Sequence, residues 1–443
     1  MFCVLVLGAG CVAKSFVGYL LKDKRMYVVL ADKDERNALQ LKCKLEEKDR
    51  CIAVKLDVSN SDELEKCIQK SDIVISLIDA SLHKLVALKC LVYRKNLVTT
   101  SYISEEMGRM DAMAKSKNLI FLNEIGLDPG VDHMIIASWI DKIHKEGGHI
   151  EEIHSYGTNL PKFDYNNNPL GYKVSWNLKG FMNTSQKDAV YKENNKKVLI
   201  HSREVLQNYI FKEIEDIGVF ESYRYGDAFR YISSYNVPAI NSITRNVLRH
   251  IGFCESWIYL DALGLFDDCS IYDFSTTSIE EIIRNKIGSK SEINIYAVIA
   301  HYLNIRGFHP FIKKLEWLGV FTEDIQFLKS TTLASAVCYI LVNKLKYQKN
   351  EKDMVILQQE LIWKSREMIR KKVTASLVLY GSDEASAISY GVGIPAAIAT
   401  KLILDGIFNM KGVVLPVTPQ IYRPILAELQ KTGIFIHAKQ QGL

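Results

Sequence analysis

The first thirty-two residues constrain this chain more than any other stretch. An apolar run, Phe2-Cys3-Val4-Leu5-Val6-Leu7, leads directly into Gly8-Ala9-Gly10-Cys11-Val12-Ala13, and a second apolar run from Met26 to Ala31 ends on Asp32. An unbroken β-favouring run is the signature of a strand buried on both faces of a parallel sheet, and the chain beyond such a strand must turn tightly and begin a helix. Gly8 suits the turn, Gly10 lets the backbone approach a pyrophosphate, and Ala13 takes the third-glycine position where helix and strand pack closely. The helix expected from about Val12 to Leu21 would point its unpaired N–H groups and positive dipole end at phosphates, so Cys11 and Val12 join the expected cofactor contacts. Asp32 lies 22 residues after Gly10, near the spacing of a carboxylate that binds an adenosine ribose diol. Asp32 favours NAD, because it would repel a 2′-phosphate; Lys33 beside it would neutralise one, which keeps NADP as the alternative.

The alternation continues. Cys51–Leu56, Asp72–Leu77, Leu97–Thr100 and Leu119–Leu122 read as strands, with helices over Ser61–Ser71 and about His83–Tyr93. Six strands alternating with helices predict an α/β fold with a Rossmann-like parallel sheet, whose ligands sit beyond the strand C-termini. Asp57, Leu77, Ile78, Ser101, Tyr102 and Asn123-Glu124 occupy those ends. After Asp128-Pro129-Gly130 the pattern changes to a long helix, Val131–Lys145, and then to strand-like segments as far as about Tyr223. From Asn241 to about Arg370 the periodicity is mainly helical, clearest in Asn241–Ile251, Ile325–Leu345 and Lys352–Arg370. Thr374–Tyr380 returns to strand, and Ile394–Leu404 reads as a helix packing back on the first domain. The expected organisation is a dinucleotide-binding domain over 1–127 with a C-terminal return at about 391–443. An α/β substrate and dimerisation domain follows over 128–240 and about 371–390, carrying a helical insertion over 241–370.

With 443 residues, 48% of them hydrophobic, the chain can bury two or three cores, and a formal charge of +5 spread over dispersed lysines argues against nucleic acid as a partner. The nine cysteines form no CxxC pair, as expected of reduced thiols in a cytoplasmic protein. The N-terminal apolar run lacks a preceding basic residue and is short for a signal peptide, and the later apolar stretch Leu333–Val342 is about half the ~20 residues a membrane span needs, so no membrane association is expected. No HxxxH, HExxH or GxSxG pattern occurs, so neither a metal centre nor a serine-hydrolase elbow is expected.

Four motifs taken together carry a family resemblance: Thr100-Ser101-Tyr102, the stretch from Asn123 through Gly126-Leu127-Asp128-Pro129-Gly130 to His133, Asn168-Pro169-Leu170-Gly171-Tyr172-Lys173-Val174-Ser175-Trp176, and Arg245-Asn246-Val247-Leu248-Arg249. In this ordered set the chain resembles saccharopine dehydrogenase of the glutamate-forming type, most of all the form fused into the bifunctional lysine-degradation enzyme of animals, from Phe2 to about Gly433. The Asp that ends the second strand is similar to the NAD-using animal form, whereas the fungal form places an Arg just after it. The resemblance implies a homodimeric, pyridine-nucleotide enzyme that oxidises saccharopine, a secondary amine, to an imine that water splits into glutamate and 2-aminoadipate semialdehyde, or that runs the reverse condensation.

Such chemistry needs a cofactor face beside the C–H bond, a group that manages the amine proton, and cations or N–H donors for carboxylates. Asp128 fits the proton-handling or amine-anchoring role, with a helix N-cap ahead of Pro129 as the lesser alternative, and His133 one turn on would pack against that turn. Tyr102, Asn159, Trp176, Arg224 and Arg245 are the further expected substrate contacts; Arg245 and Arg249 would share a helix face, and Lys173 could bind a carboxylate or be solvated. The chain also departs from the family pattern. Gly157 stands where the family has a Cys that helps hold the amine, Gly226 where it has a carboxylate-gripping Arg, Val247 where it has Thr, and Asp79-Ala80 where it has Pro-Tyr. Arg224, two residues before Gly226, could substitute only through a rearranged loop, since two extended residues span about 6.6 Å. Three outcomes stay open on these departures: the same reaction, the same reaction type on another amine such as a polyamine- or amino-acid-derived conjugate, and an inactive NAD-binding protein.

Overall fold

The computed structural model describes the whole chain except residues 176–177, 179–181, 183–186, 290–292, 323 and 326–327. The chain divides into two compact units. The first comprises Met1–Gly157, Arg230–Ile243 and Met354–Leu443; the second comprises Thr158–Phe229 and Thr244–Asp353.

The first unit is built on a parallel sheet of β1 (Phe2–Leu7), β2 (Met26–Asp32), β3 (Cys51–Lys55), β4 (Ile73–Ser76), β5 (Asn96–Thr99) and β6 (Ile120–Leu122), with Gly412–Val414 as a seventh strand beside β6. The spatial order from that strand is β6, β5, β4, β1, β2, β3. Strand order therefore reverses at β1 and β4, the crevice where a doubly wound sheet binds its ligand. Helices α1 (Cys11–Leu21), α2 (Glu35–Cys43), α3 (Ser61–Lys70) and α4 (His83–Tyr93) connect the strands. Asn60 caps α3, its side chain accepting from Glu63 N–H. Each sheet face carries its own apolar core, Val4, Val6, Phe16 and Ile75 on one side and Leu5, Leu7, Val74 and Phe121 on the other, which is why the strands read as unbroken hydrophobic runs.

The C-terminal part of this unit begins at Met354, earlier than the sequence led us to expect, and its helix over Ala387–Leu404, which starts before the expected Ile394, packs along α1. The approach is close. A β-carbon on Gly393 would lie 2.9 Å from both Val12 O and Phe16 N, and Ser389 Oγ donates to Cys11 O at 2.6 Å. By length and composition this helix also matches a membrane span, yet most of it is buried in the first unit's core. A helix α5 (Val131–Lys145) follows β6 through the Gly126–Gly130 turn. The same unit holds antiparallel strands Asp353–Lys364, Arg370–Tyr380 and His437–Gly442, with His149–Pro161 beside the first of them.

The second unit has antiparallel strands Ile210–Ile214, Gly218–Arg224 and Ser242–Arg249 in that order, with Ala189–Glu193 and Lys196–Ile200 paired to each other. Its helices run over Phe253–Ala262, Ile279–Lys286, Ile295–Tyr302, Pro310–Leu318 and Leu333–Leu345, around a core that stacks Phe253 on Trp257 at 5.1 Å. Two expected helices are strands instead. Asn241–Ile251 contains the strand Ser242–Arg249, and Lys352–Arg370 the strand Asp353–Lys364. Both are buried on both faces, so no period-2 alternation marks them, and β-branched Ile243, Thr244, Val247, Val355, Ile356 and Ile362 are the residual signal. Likewise, in Ile325–Leu345 the helix begins only at Leu333, after a short strand Ser330–Thr332.

Candidate active site

In the first unit, β1 ends at a glycine that the geometry requires. Gly8 has φ +101°, and a β-carbon there would come 2.7 Å from Leu77 O at the end of β4. Gly8 N–H donates to Ala31 O at 2.7 Å, and Leu77 N–H to Leu7 O at 2.8 Å, so the loop is fixed against both neighbouring strands. Gly10 is the opposite case. A β-carbon on it would meet nothing within 4 Å, and α1 starts at Cys11 with no side chain capping its first N–H groups. Open space in front of Gly10 at a helix N-terminus suits a pyrophosphate, and Ala13, fully buried, lets α1 lie close to the sheet.

Asp32 closes this region. One carboxylate oxygen accepts from Ala9 N–H at 2.8 Å and the other from Asp34 N–H at 2.9 Å, tying the end of β2 to the glycine loop. Lys33 and Asp57 sit together at 3.4 Å, both well exposed. Beyond β2 an open hollow is lined by Asp32, Lys33, Asp34, Glu35, Arg36 and Lys55.

At the carboxyl ends of β4 and β5, a buried histidine not singled out from the sequence joins several of the expected residues. His83 Nδ1 is 2.8 Å from Ser76 Oγ, and its Nε2 lies 2.8 Å from Ser101 Oγ and 3.1 Å from Thr99 Oγ1. Burial pushes its pKa down to about 4, so the ring is neutral at physiological pH and holds Ser101 by hydrogen bonding. Leu77 and Ile78 flank this cluster, half-buried. Asp79 is exposed, and hydrogen bonds from the Ser81 hydroxyl and N–H hold its carboxyl below the usual range.

Asp128 is not a helix cap: the N-cap of α5 is Gly130, whose N–H donates to Asp132 Oδ1 at 2.6 Å. Instead, Tyr102 Oη donates to Asp128 Oδ1 at 3.1 Å. The other carboxylate oxygen occupies the space in front of Gly157, where a β-carbon would approach it to 2.2 Å. The glycine that replaces the family's cysteine is thus what gives this carboxylate its seat. Behind the turn, His133 does more than pack: its Nε2 is 2.9 Å from Glu124 Oε2 and its Nδ1 2.6 Å from Tyr235 Oη, with both His133 and Glu124 fully buried.

In the second unit the expected anion-binding side chains have protein partners. Arg224 donates to Asn246 Oδ1 at 2.5 Å and pairs with Glu193 at 3.0 Å. Lys173 pairs with Glu351 at 2.5 Å, both nearly buried. Arg249 donates to Thr158 Oγ1 and Leu248 O, each at 3.1 Å, while its guanidinium faces the rings of Tyr172, Tyr223 and Phe253. Arg245 is buried on the same strand, four residues from Arg249, so the two share a strand face and not a helix face. Asn159 donates to Asp353 at 2.8 Å and accepts from Ser175. Val247 pairs in register with Tyr223. Gly226 has φ +62° and open space in front of its α-carbon. Trp176 lies outside the described residues.

A seven-stranded parallel sheet with a glycine turn, an open helix N-terminus and an acidic residue ending the second strand defines a dinucleotide-binding domain, and the family models and relatives make it that of a nicotinamide-nucleotide-dependent oxidoreductase. Residues 4–122 match the saccharopine dehydrogenase NADP binding domain and residues 126–434 the saccharopine dehydrogenase C-terminal domain. The chain belongs to the saccharopine dehydrogenase family. It is 30% identical to saccharopine dehydrogenase [NADP(+), L-glutamate-forming] of Schizosaccharomyces pombe over 441 residues, 97% of each chain. It is also 30% identical to the mitochondrial alpha-aminoadipic semialdehyde synthase of Bos taurus over 442 residues, covering 97% of this chain and 47% of that one. Among solved structures it is similar to apo saccharopine dehydrogenase (L-Glu forming) from Saccharomyces cerevisiae, at TM-score 0.87 and 29% identity over the whole of both chains. A homospermidine synthase from Legionella pneumophila shares the fold at TM-score 0.59 and 10% identity, over 99% of this chain and 91% of that one.

Proposed function

We propose that this protein interconverts saccharopine and water with glutamate and 2-aminoadipate semialdehyde, using a nicotinamide nucleotide as hydride carrier. The observation that carries the assignment is the Asp128 carboxylate, seated over Gly157 and hydrogen-bonded to Tyr102, in the unit that also holds the glycine loop. As an acceptor of the tyrosine's hydrogen bond, ionised Asp128 would hold the substrate ammonium and take its proton before the C–N bond is oxidised, while Tyr102 fixes the carboxylate's direction. The bound nucleotide supplies the acceptor for the hydride leaving the substrate carbon. Gly8, Gly10, Cys11, Val12 and Ala13 would hold its pyrophosphate, Asp32, Lys33 and Asp57 its adenosine end, and Leu77, Ile78 and Ser101 its nicotinamide end. Tyr102 completes the assignment in this unit as a substrate contact beside Asp128, and homodimeric assembly and a cytoplasmic location belong to the same proposal.

NADP is our preferred carrier, in place of the NAD that Asp32 alone would favour. Two backbone N–H groups already draw on the Asp32 carboxylate, which moderates its repulsion of a 2′-phosphate, and Lys55 lines the adjoining hollow with Lys33 and Arg36, the latter two exposed and paired with Asp57 and Asp34. The NADP(+)-named fungal relatives support the same choice.

Thermal unfolding of the purified protein tests the cofactor half. NADPH is expected to raise the midpoint more than NADH at equal concentration; no shift with either nucleotide contradicts it. Initial rates with saccharopine and NADP⁺ test the substrate half. No turnover on saccharopine, with turnover on another secondary amine, would move the assignment to that amine.

A further inference from the structure

Glu124 follows β6 with φ +54°, a backbone conformation that is unfavourable for a glutamate and that surrounding contacts must hold in place. Its contacts bracket Tyr102. Glu124 N–H donates to Ser101 O at 3.2 Å, and its Oε1 accepts from Ile103 N–H at 2.9 Å, so both neighbours of Tyr102 are attached to this one residue. The carbonyl of Ile103 accepts from Arg230 Nη2 at 3.3 Å, and the same guanidinium nitrogen lies 3.6 Å from Glu124 Oε1. The other carboxylate oxygen receives Tyr231 Oη at 2.9 Å and faces His133 Nε2 at 2.9 Å. His133 Nδ1 lies 2.6 Å from Tyr235 Oη, and the Arg230 guanidinium supplies a cation beside the buried carboxylate.

We infer that Arg230 is a positioning residue, which through Glu124 and the Ile103 peptide holds the Tyr102 hydroxyl in line with Asp128. Burial alone would raise the Glu124 pKa, but hydrogen bonding from His133, together with Ile103 N–H and Arg230, holds it below the usual carboxylate range. The carboxylate is therefore an acceptor throughout the neutral range and can serve three donors. Arg230 reaches it from a segment about a hundred residues further along the chain, and its side chain is 35% exposed, so it can be replaced without opening the core. This inference rests on the assignment of Tyr102 and Asp128 to the reacting site.

The test compares Arg230→Met, which keeps length and removes the cation, with Arg230→Lys, which keeps the charge. In the Met variant kcat on saccharopine is expected to fall at least about tenfold, from misalignment of a catalytic pair. NADPH Kd is expected to stay within about twofold, and the Lys variant to recover most of the loss, a pattern that general destabilisation would not produce. Hydrogen exchange of the peptide containing Ser101–Ile103 reads the clamp without any substrate. It is expected to quicken at least about tenfold in the Met variant, with β1 unchanged. If wild-type protein fails to turn over saccharopine but the exchange difference is present, the substrate assignment is wrong and the clamp stands. Unchanged exchange at Ser101–Ile103 overturns the inference, as does a kcat loss that Lys does not relieve.

Discussion

The glycine loop and the basic residues of the second unit make an instructive contrast. Gly8, Gly10, Ala13 and Asp32 come from one short stretch, and their geometry is set by the strands that flank it. Lys173, Arg224 and Arg249 come from separate strands and loops, and each is engaged by a partner supplied elsewhere in its unit: Glu351, Glu193 with Asn246, and Thr158 with an aromatic surround. A local motif therefore declares its role in the sequence, whereas a cation's role depends on whether the fold has already neutralised it. The Asp128 turn stands between these cases. Its carboxylate is local in sequence, but its direction is set by Tyr102 and by the missing side chain at Gly157.

Substitutions would sharpen or break this contrast. The largest effect belongs to Asp128→Ala, expected to lower kcat by about a thousandfold with NADPH Kd nearly unchanged, read by steady-state kinetics and fluorescence titration. Full activity in that variant would reduce Asp128 to a structural group. Next comes Gly8→Ala, which forces a side chain into φ +101° and against Leu77 O; it should cost about 2 kcal/mol in chemical unfolding and weaken cofactor binding. Gly157→Ala should displace the Asp128 carboxylate and reduce kcat by about tenfold or more without moving NADPH affinity, so equal rates would show that the carboxylate has another productive position.

His83 provides a pH test. Its folded pKa of about 4 lies below the ordinary histidine value of 6.5, so the unfolded chain binds the proton first as pH falls. Its contribution to stability is therefore complete above pH 6.5 and is lost progressively toward pH 4, by about 2 kcal/mol at pH 5. His83→Gln should remove that part of the slope in unfolding midpoints measured between pH 7 and 5, and parallel wild-type and variant curves would count against a neutral buried ring. The smallest effect is expected from Arg224→Ala, because its ion pair is with a half-exposed Glu193. About 1 kcal/mol or less of stability and less than about threefold in saccharopine KM should be lost. A much larger rise in KM would mean that Arg224 leaves Glu193 to grip a substrate carboxylate.

Much of the first unit was legible in the sequence because parallel strands buried on both faces produce long apolar runs, and because tight turns demand glycine at fixed points. The strands Ser242–Arg249 and Asp353–Lys364 were misread for a related reason: burial on both faces erases the alternation that separates strand from helix. In the site, Asp128 and Tyr102 stood out through their motifs. The clamp around Glu124 did not, although Asn123-Glu124 marked a strand end, because Arg230, Tyr231 and Tyr235 reach it from roughly a hundred residues away and nothing local announces that meeting. His83 was hidden for a similar reason, since its partners Ser76, Thr99 and Ser101 come from two neighbouring strand ends.

The most direct test is a product balance: purified protein, saccharopine and NADP⁺ incubated together, with NADPH followed by fluorescence and glutamate quantified by mass spectrometry. One glutamate released for each NADPH formed, abolished in Asp128→Ala, is the expected result. Cofactor that binds tightly while neither NADPH nor glutamate accumulates would contradict the assignment of saccharopine to this site.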